Sequence, residues 1–169
     1  MPYYRAVGEV PPKRHTQFRS ADGGLYNEEL MGVEGFSGES ALLYHRGRPT
    51  AIVAAEPVDD VGRDTVANRP LLPRHFRTHE LEAGGDLVRD RQLLLRNSDV
   101  RLLYAVATGP SELYRNATGD ELVYVESGRA TVETSFGSLE VGPGDYVALP
   151  TSTTHRWLPA AGDELRALI

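Results

Sequence analysis

From Ser40 onward the chain is cut into short apolar segments of four to eight residues by Gly, Pro, Asn and Asp at regular intervals. That punctuation leaves no room for long helices and is the pattern of a β-sandwich or barrel. Strands are expected at Ala41–His45, Thr50–Ala55, Arg74–His79, Arg91–Leu95, Val100–Ala107, Glu121–Glu126, Ala130–Thr134, Ser138–Val141, Tyr146–Leu149 and Thr154–Leu158. Arg46-Gly47-Arg48-Pro49 would turn a hairpin between the first two, and Val58–Pro70 reads as a surface loop. The clearest pattern lies around Ser127-Gly128-Arg129, where Val123, Val125, Ala130 and Val132 alternate with more polar neighbours on both arms of a hairpin. Side chains two apart on a strand share a face, so these four should line the interior.

With 169 residues and 40% apolar content, the chain can bury one core and is short for a second independent domain. Residues 41–169 form the expected barrel. Residues 1–40 are rich in Gly and aromatics without sustained periodicity and read as an extended arm. Tyr3, Tyr4, Phe18, Leu25, Tyr26, Leu30, Met31 and Phe36 are too many apolar groups for a free tail, so the arm is expected to lie on the barrel or on a neighbouring subunit.

The chain has no cysteine, which excludes disulfides and thiolate metal sites and, with no recognisable signal peptide, fits a cytoplasmic setting. Its longest apolar stretches, such as Leu102–Ala107, are far shorter than the ~20 residues of a membrane-spanning helix. Net charge is −6 with signs interleaved, which gives no electrostatic footprint for nucleic acid. The basic run Pro12-Lys13-Arg14-His15 reads as a solvated terminal segment. The last residues, Asp163-Glu164-Leu165-Arg166-Ala167-Leu168-Ile169, alternate and grow apolar with no polar stop, from which a parent polypeptide continuing past Ile169 is expected.

The stretch that bears on chemistry reads Gly119-Asp120-Glu121-Leu122-Val123-Tyr124-Val125-Glu126-Ser127-Gly128, then Gly142-Pro143-Gly144-Asp145 and finally His155-Arg156-Trp157. It resembles the two motifs of the cupins, whose jelly-roll barrels gather two His and a Glu from the first motif and a His from the second around one metal ion. Matching Glu121 to the motif Glu puts Tyr114 and Asn116 at the two His positions, or Arg115 and Ala117 if the spacing is one shorter; His155 matches the second-motif His. A non-haem iron centre typically takes two His and one carboxylate. Tyr114, Asn116, Glu121 and His155 are therefore expected to form a degenerate pocket, with no catalytic, cofactor-binding or metal-ligating residue. The plainer readings are that His155 is a hydrogen-bonded wall residue and that Glu121 is paired with an Arg or faces water. His75 and His79 are ordinary surface histidines in this reading, since residues four apart on a strand lie about 13 Å from each other.

Along nearly its whole length the sequence also resembles the N-terminal half of homogentisate 1,2-dioxygenase. The resemblance is carried by Lys13-Arg14-His15-Thr16-Gln17-Phe18-Arg19, by Gly24-Leu25-Tyr26-Asn27-Glu28-Glu29-Leu30-Met31-Gly32 with Phe36, and by Leu43-Tyr44 before Arg48-Pro49. That family joins two cupin-like halves and opens the ring of homogentisate with dioxygen at an Fe(II) held in the C-terminal half. The resemblance implies a cytoplasmic enzyme of tyrosine and phenylalanine breakdown, Fe(II) in the parent enzyme and none in this segment. It also implies two partners: the C-terminal cupin half of the same polypeptide, and further copies in a trimer or hexamer. Two other readings stay open: a stand-alone cupin that holds a small organic ligand without metal, and a small cupin enzyme using His155 and Glu121.

Overall fold

The computed structural model describes residues 18–32, 34–38, 40–56 and 65–169. Tyr3, Tyr4, the Pro12–His15 run and residues 58–64 of the expected loop lie outside them. The chain divides into two compact units, Met1–Pro57 and Val58–Ile169, rather than at Ser40.

In the first unit, β1 (Asn27–Met31) pairs antiparallel with β2 (Ala41–His45), with Glu29 opposite Leu43. The expected arm thus contains a strand, and Ala41–His45 belongs to its hairpin. The hairpin expected across Arg46–Pro49 does not form, because Thr50–Glu56 has no strand. Ile52 and Val53 are 86% and 100% exposed, so their apolar pattern has no face to pack against. Upstream, a tight turn at Ser20–Gly24 is closed by the Ser20 and Gly23 amides, and the Phe18 ring lies 4.5 Å from that of Tyr44.

Among its described residues, the second unit is all-β apart from one short 3-10 turn at Thr78–Glu80. Its strands are β3 (Gln92–Arg96), β4 (Arg101–Ala107), β5 (Glu121–Ser127), β6 (Ala130–Thr134), β7 (Gly137–Val141), β8 (Tyr146–Leu149), β9 (His155–Pro159) and β10 (Leu165–Leu168). They form two antiparallel sheets, in the order β3-β4-β10-β5-β8 and β7-β6-β9. The inner faces share one core: Ala105, Ala107, Val123, Val125, Val147, Leu149, Leu165 and Ala167 from the first sheet meet Ala130, Val132, Val141 and Trp157 from the second. This is the cupin-type jelly roll expected from the sequence.

Val123, Val125, Ala130 and Val132 are all within 2% of full burial, as their period-2 spacing requires. The β5–β6 connection turns at Gly128, whose φ of +80° is in the left-handed region. A Cβ there would also sit 2.3 Å from the Glu164 carbonyl oxygen, so both backbone shape and space call for glycine. Arg74–His79 is not a strand: its residues up to Arg77 and His79 are exposed, and no neighbouring strand offers the segment a ladder. The terminal run Leu165–Leu168 is an interior strand, seated between β4 and β5.

A buried ion pair and an imidazole at the barrel mouth

Of the four residues expected to form a pocket, Tyr114, Asn116 and Glu121 line one cleft, and His155 lies against Tyr114. Glu121 opens β5 and is 6% exposed. Its carboxylate is gripped at both oxygens by Arg91, whose Nη1 donates to Oε1 at 3.0 Å and Nη2 to Oε2 at 2.9 Å. Arg91 lies just ahead of β3, after a turn in which the Asp86 carboxylate accepts the Val88 and Arg89 amides. Its Nε donates to the Leu87 carbonyl at 2.8 Å, which fixes the guanidinium plane. The pair is nearly dry, with side chains 8% and 5% exposed.

Asn116 reaches the same carboxylate, donating from Nδ2 to Glu121 Oε1 at 3.2 Å. Its Oδ1 meanwhile accepts the Thr118 and Gly119 amides, so the residue also shapes the turn that leads into β5. Tyr114 bridges to His155 through the backbone and meets its ring edge to face, while the Arg91 guanidinium carbon lies 5.3 Å from the Tyr114 ring centroid.

His155 is 1% exposed. Its Nδ1 lies 3.0 Å from the Thr153 carbonyl oxygen. A carbonyl only accepts, so Nδ1 carries a proton, which leaves Nε2 as the ring nitrogen open to a ligand or metal. Nε2 has no hydrogen-bond partner, and neither do Thr153 Oγ1 and Trp157 Nε1. Thr153, His155 and Trp157 follow at intervals of two and are all buried. The Trp157 amide is taken by Ser111 Oγ at 2.9 Å.

The charges follow this geometry. Burial pushes the Glu121 carboxyl up, but the Arg91 hydrogen bonds and charge, helped by Asn116, hold it below the usual carboxylate range. Burial and the neighbouring Glu121 charge push the Tyr114 phenol up, with Arg91 opposing in part. An open cleft of about 690 Å³ adjoins these groups, with Arg91, Tyr114, Asn116, Glu121, Tyr124 and Tyr146 on its walls.

Fe(II), which the resemblance implies for the parent enzyme, does not fit this donor set. Both Glu121 oxygens are committed to a cation already in place, Tyr114 and Asn116 stand where imidazoles would be needed, and only His155 offers a free lone pair. Among the described residues no group of three or more His, Asp or Glu is arranged to hold a metal. Arg115 instead donates to Thr154 Oγ1, and His75 and His79 are exposed. Arg91 is the member of the site that sequence reasoning missed. It lies 30 residues from Glu121 and in no motif; the one signal was the plain alternative that Glu121 pairs with an arginine.

No helix among the described residues is long and apolar enough to cross a membrane. No family model matches the chain. Among solved structures it is similar to one described as a putative mannose-6-phosphate isomerase from Ralstonia eutropha, with 23% identity and a TM-score of 0.47 over 57% of this chain and 94% of that one. It is also similar to a cupin 2 conserved barrel domain protein from Rhodopseudomonas palustris, with 28% identity and a TM-score of 0.41 over 46% and 56%. Among curated proteins it is 37% identical over 160 residues to the Saccharolobus solfataricus protein named Putative dioxygenase SSO1533. That match takes in 92% of this chain and 41% of that protein. The chain is homologous to a protein named as a dioxygenase, of whose length it spans less than half.

Proposed function

We propose that this chain is the N-terminal, non-metal cupin half of a ring-cleaving dioxygenase of the homogentisate 1,2-dioxygenase type. In this reading it serves as scaffold and oligomer interface, while Fe(II) and the chemistry reside in the C-terminal half of the same polypeptide. The observation that carries the non-metal assignment is the Arg91–Glu121 pair, which fills the carboxylate that a cupin metal would need. The 37% identity to a dioxygenase-named protein supports the enzyme class. An apolar groove of about 1190 Å³ between residues 65–76 and the β3–β4 hairpin supports the interface role. Val66 and Leu71 on its walls are each 87% exposed, which is costly for a surface with nothing to cover it.

The test compares the chain alone with the whole parent polypeptide after anaerobic Fe(II) loading, by elemental analysis and by oxygen uptake with homogentisate. The chain alone should hold little iron and take up no oxygen; the parent should hold one iron per polypeptide and turn over. Stoichiometric iron with turnover in the chain alone would overturn the assignment of a non-metal half. A parent that ignores homogentisate would overturn the substrate.

A second reading, a metal-free cupin that binds a small organic ligand, is favoured by the three unpartnered buried polar atoms on Thr153, His155 and Trp157. Saturable shifts of the His155 ring signals in NMR on titration with a small polar compound, with no homogentisate-dependent oxygen uptake by the parent, would select it.

A further inference from the structure

We infer that Arg91 is the residue that keeps this barrel free of metal: its guanidinium is a built-in cation that occupies the carboxylate a divalent ion would need. The inference rests on the reading of the barrel as a non-metal half, and adds which residue makes it so.

Two potential donors survive at the mouth. Glu121 is ionised, and His155 is held by the Thr153 carbonyl in the tautomer whose Nε2 is free. A metal-binding histidine is commonly oriented in this way, by a carbonyl on its other nitrogen. The loss of motif imidazoles at Tyr114 and Asn116 weakens such a site without closing it. Arg91 closes it. Its fork takes both Glu121 oxygens, its Nε is tied to the Leu87 carbonyl, and its face lies against Tyr114.

A divalent ion arriving at Glu121 would have to displace a guanidinium that cannot lose its charge. It would then leave that charge buried beside a second cation, in a site with little water to screen either. Restoring an imidazole at Asn116 should therefore not restore a metal site while Arg91 remains.

The probe is Co(II), followed by equilibrium dialysis and by its visible absorption, on the 169-residue chain and its variants, with folding checked by circular dichroism. The unsubstituted chain and Asn116→His should show no stoichiometric Co(II). Arg91→Gln/Asn116→His, with two imidazoles and a released carboxylate, should bind one Co(II) per chain at least about tenfold more tightly than Asn116→His, and lose it again when His155→Ala is added.

Stoichiometric, His155-dependent Co(II) in Asn116→His would overturn the role of Arg91 whether or not the Arg91 variants fold. A folded Arg91→Gln/Asn116→His that gains nothing over Asn116→His would overturn it too, yet leave the non-metal reading standing. Stoichiometric Co(II) on the unsubstituted chain would overturn both.

Discussion

Tyr114 and His155 are joined three ways: each backbone amide donates to the other's carbonyl, at 2.8 and 2.9 Å, and the two rings meet edge to face at 5.5 Å. Tyr114 lies outside any strand, so this isolated bridge ties the segment before β5 to the first residue of β9. The ring is therefore a structural wedge as much as a pocket wall. Tyr114→Phe keeps the wedge and should cost less than about 1 kcal/mol. Tyr114→Ala removes it and should cost about 2–3 kcal/mol, below the ~3–5 of a fully buried aromatic because Tyr114 is partly exposed. Urea unfolding of the two variants checks both values, and equal losses would show that the hydroxyl, not the ring, matters.

The Arg91–Glu121 pair should behave as a buried ion pair does in a double-mutant cycle. Arg91→Met leaves an ionised carboxylate with its main partner gone, and Glu121→Leu leaves a buried guanidinium; each alone should cost about 3–5 kcal/mol. Arg91→Met/Glu121→Leu replaces both charges with apolar groups and should recover most of the loss, because neither desolvation cost remains. Additive losses in the double variant would mean that each residue acts through other contacts.

The same pair predicts acid lability. The Glu121 carboxyl is held below its ordinary range in the folded chain, so the unfolded chain takes up the proton at a higher pH than the folded one does. Stability from this group is therefore fully present above its unfolded value, about pH 4, and is lost as pH falls through the folded value. Urea midpoints measured from about pH 6 to about pH 3 should drop, and Glu121→Gln should flatten that part of the slope. An unchanged slope in Glu121→Gln would assign the acid loss to other carboxylates.

The eight barrel strands and the pocket were legible in different degrees, for physical reasons. The alternation of β5 and β6 and the turn between them could be read, and the four expected side chains are buried. The expected hairpin does not form: the turn at Gly128 carries the chain from one sheet to the other, and β5 pairs with β10 and β8 while β6 pairs with β7 and β9. Thr50–Ala55 and Arg74–His79 have the composition of strands, but a strand exists only when another lies beside it, and none does. Conversely, the strand at Asn27–Met31 was hidden, since its partner Ala41–His45 had been expected to pair forward. Glu121 and His155 open β5 and β9, and Tyr114 and Asn116, outside any strand, reach them through an isolated bridge and the turn before β5. Arg91 converges with them through a turn, by a contact that no local spacing encodes.

Gly128 offers a test of the turn between the two sheets that is independent of the pocket. An alanine there would need a left-handed backbone, and its Cβ would meet backbone atoms of Glu164 and Leu165 rather than a yielding side chain. The obstructing segment leads directly into β10, the strand that holds β4 and β5 together, so relief by local movement would disturb two ladders. Gly128→Ala should cost at least about 2 kcal/mol, with the strain and the clash both contributing. A loss of only a few tenths in thermal unfolding would mean that the turn can relax without β10.

The His155 tautomer is the prediction on which the reading of the pocket turns. If the Thr153 carbonyl holds the Nδ1 proton, a long-range nitrogen–proton NMR spectrum of the ring should show a protonated Nδ1 and an unprotonated Nε2. Thr153 contributes a backbone atom, so Thr153→Val should leave that tautomer unchanged while removing the unpartnered hydroxyl beside it. The opposite tautomer would place a proton on Nε2, turn that nitrogen from acceptor to donor, and leave His155 unable to bind a metal even after Arg91 is replaced. The ring spectrum therefore separates two reasons for an empty site, a cation already in place and an imidazole facing the wrong way, before any variant is made.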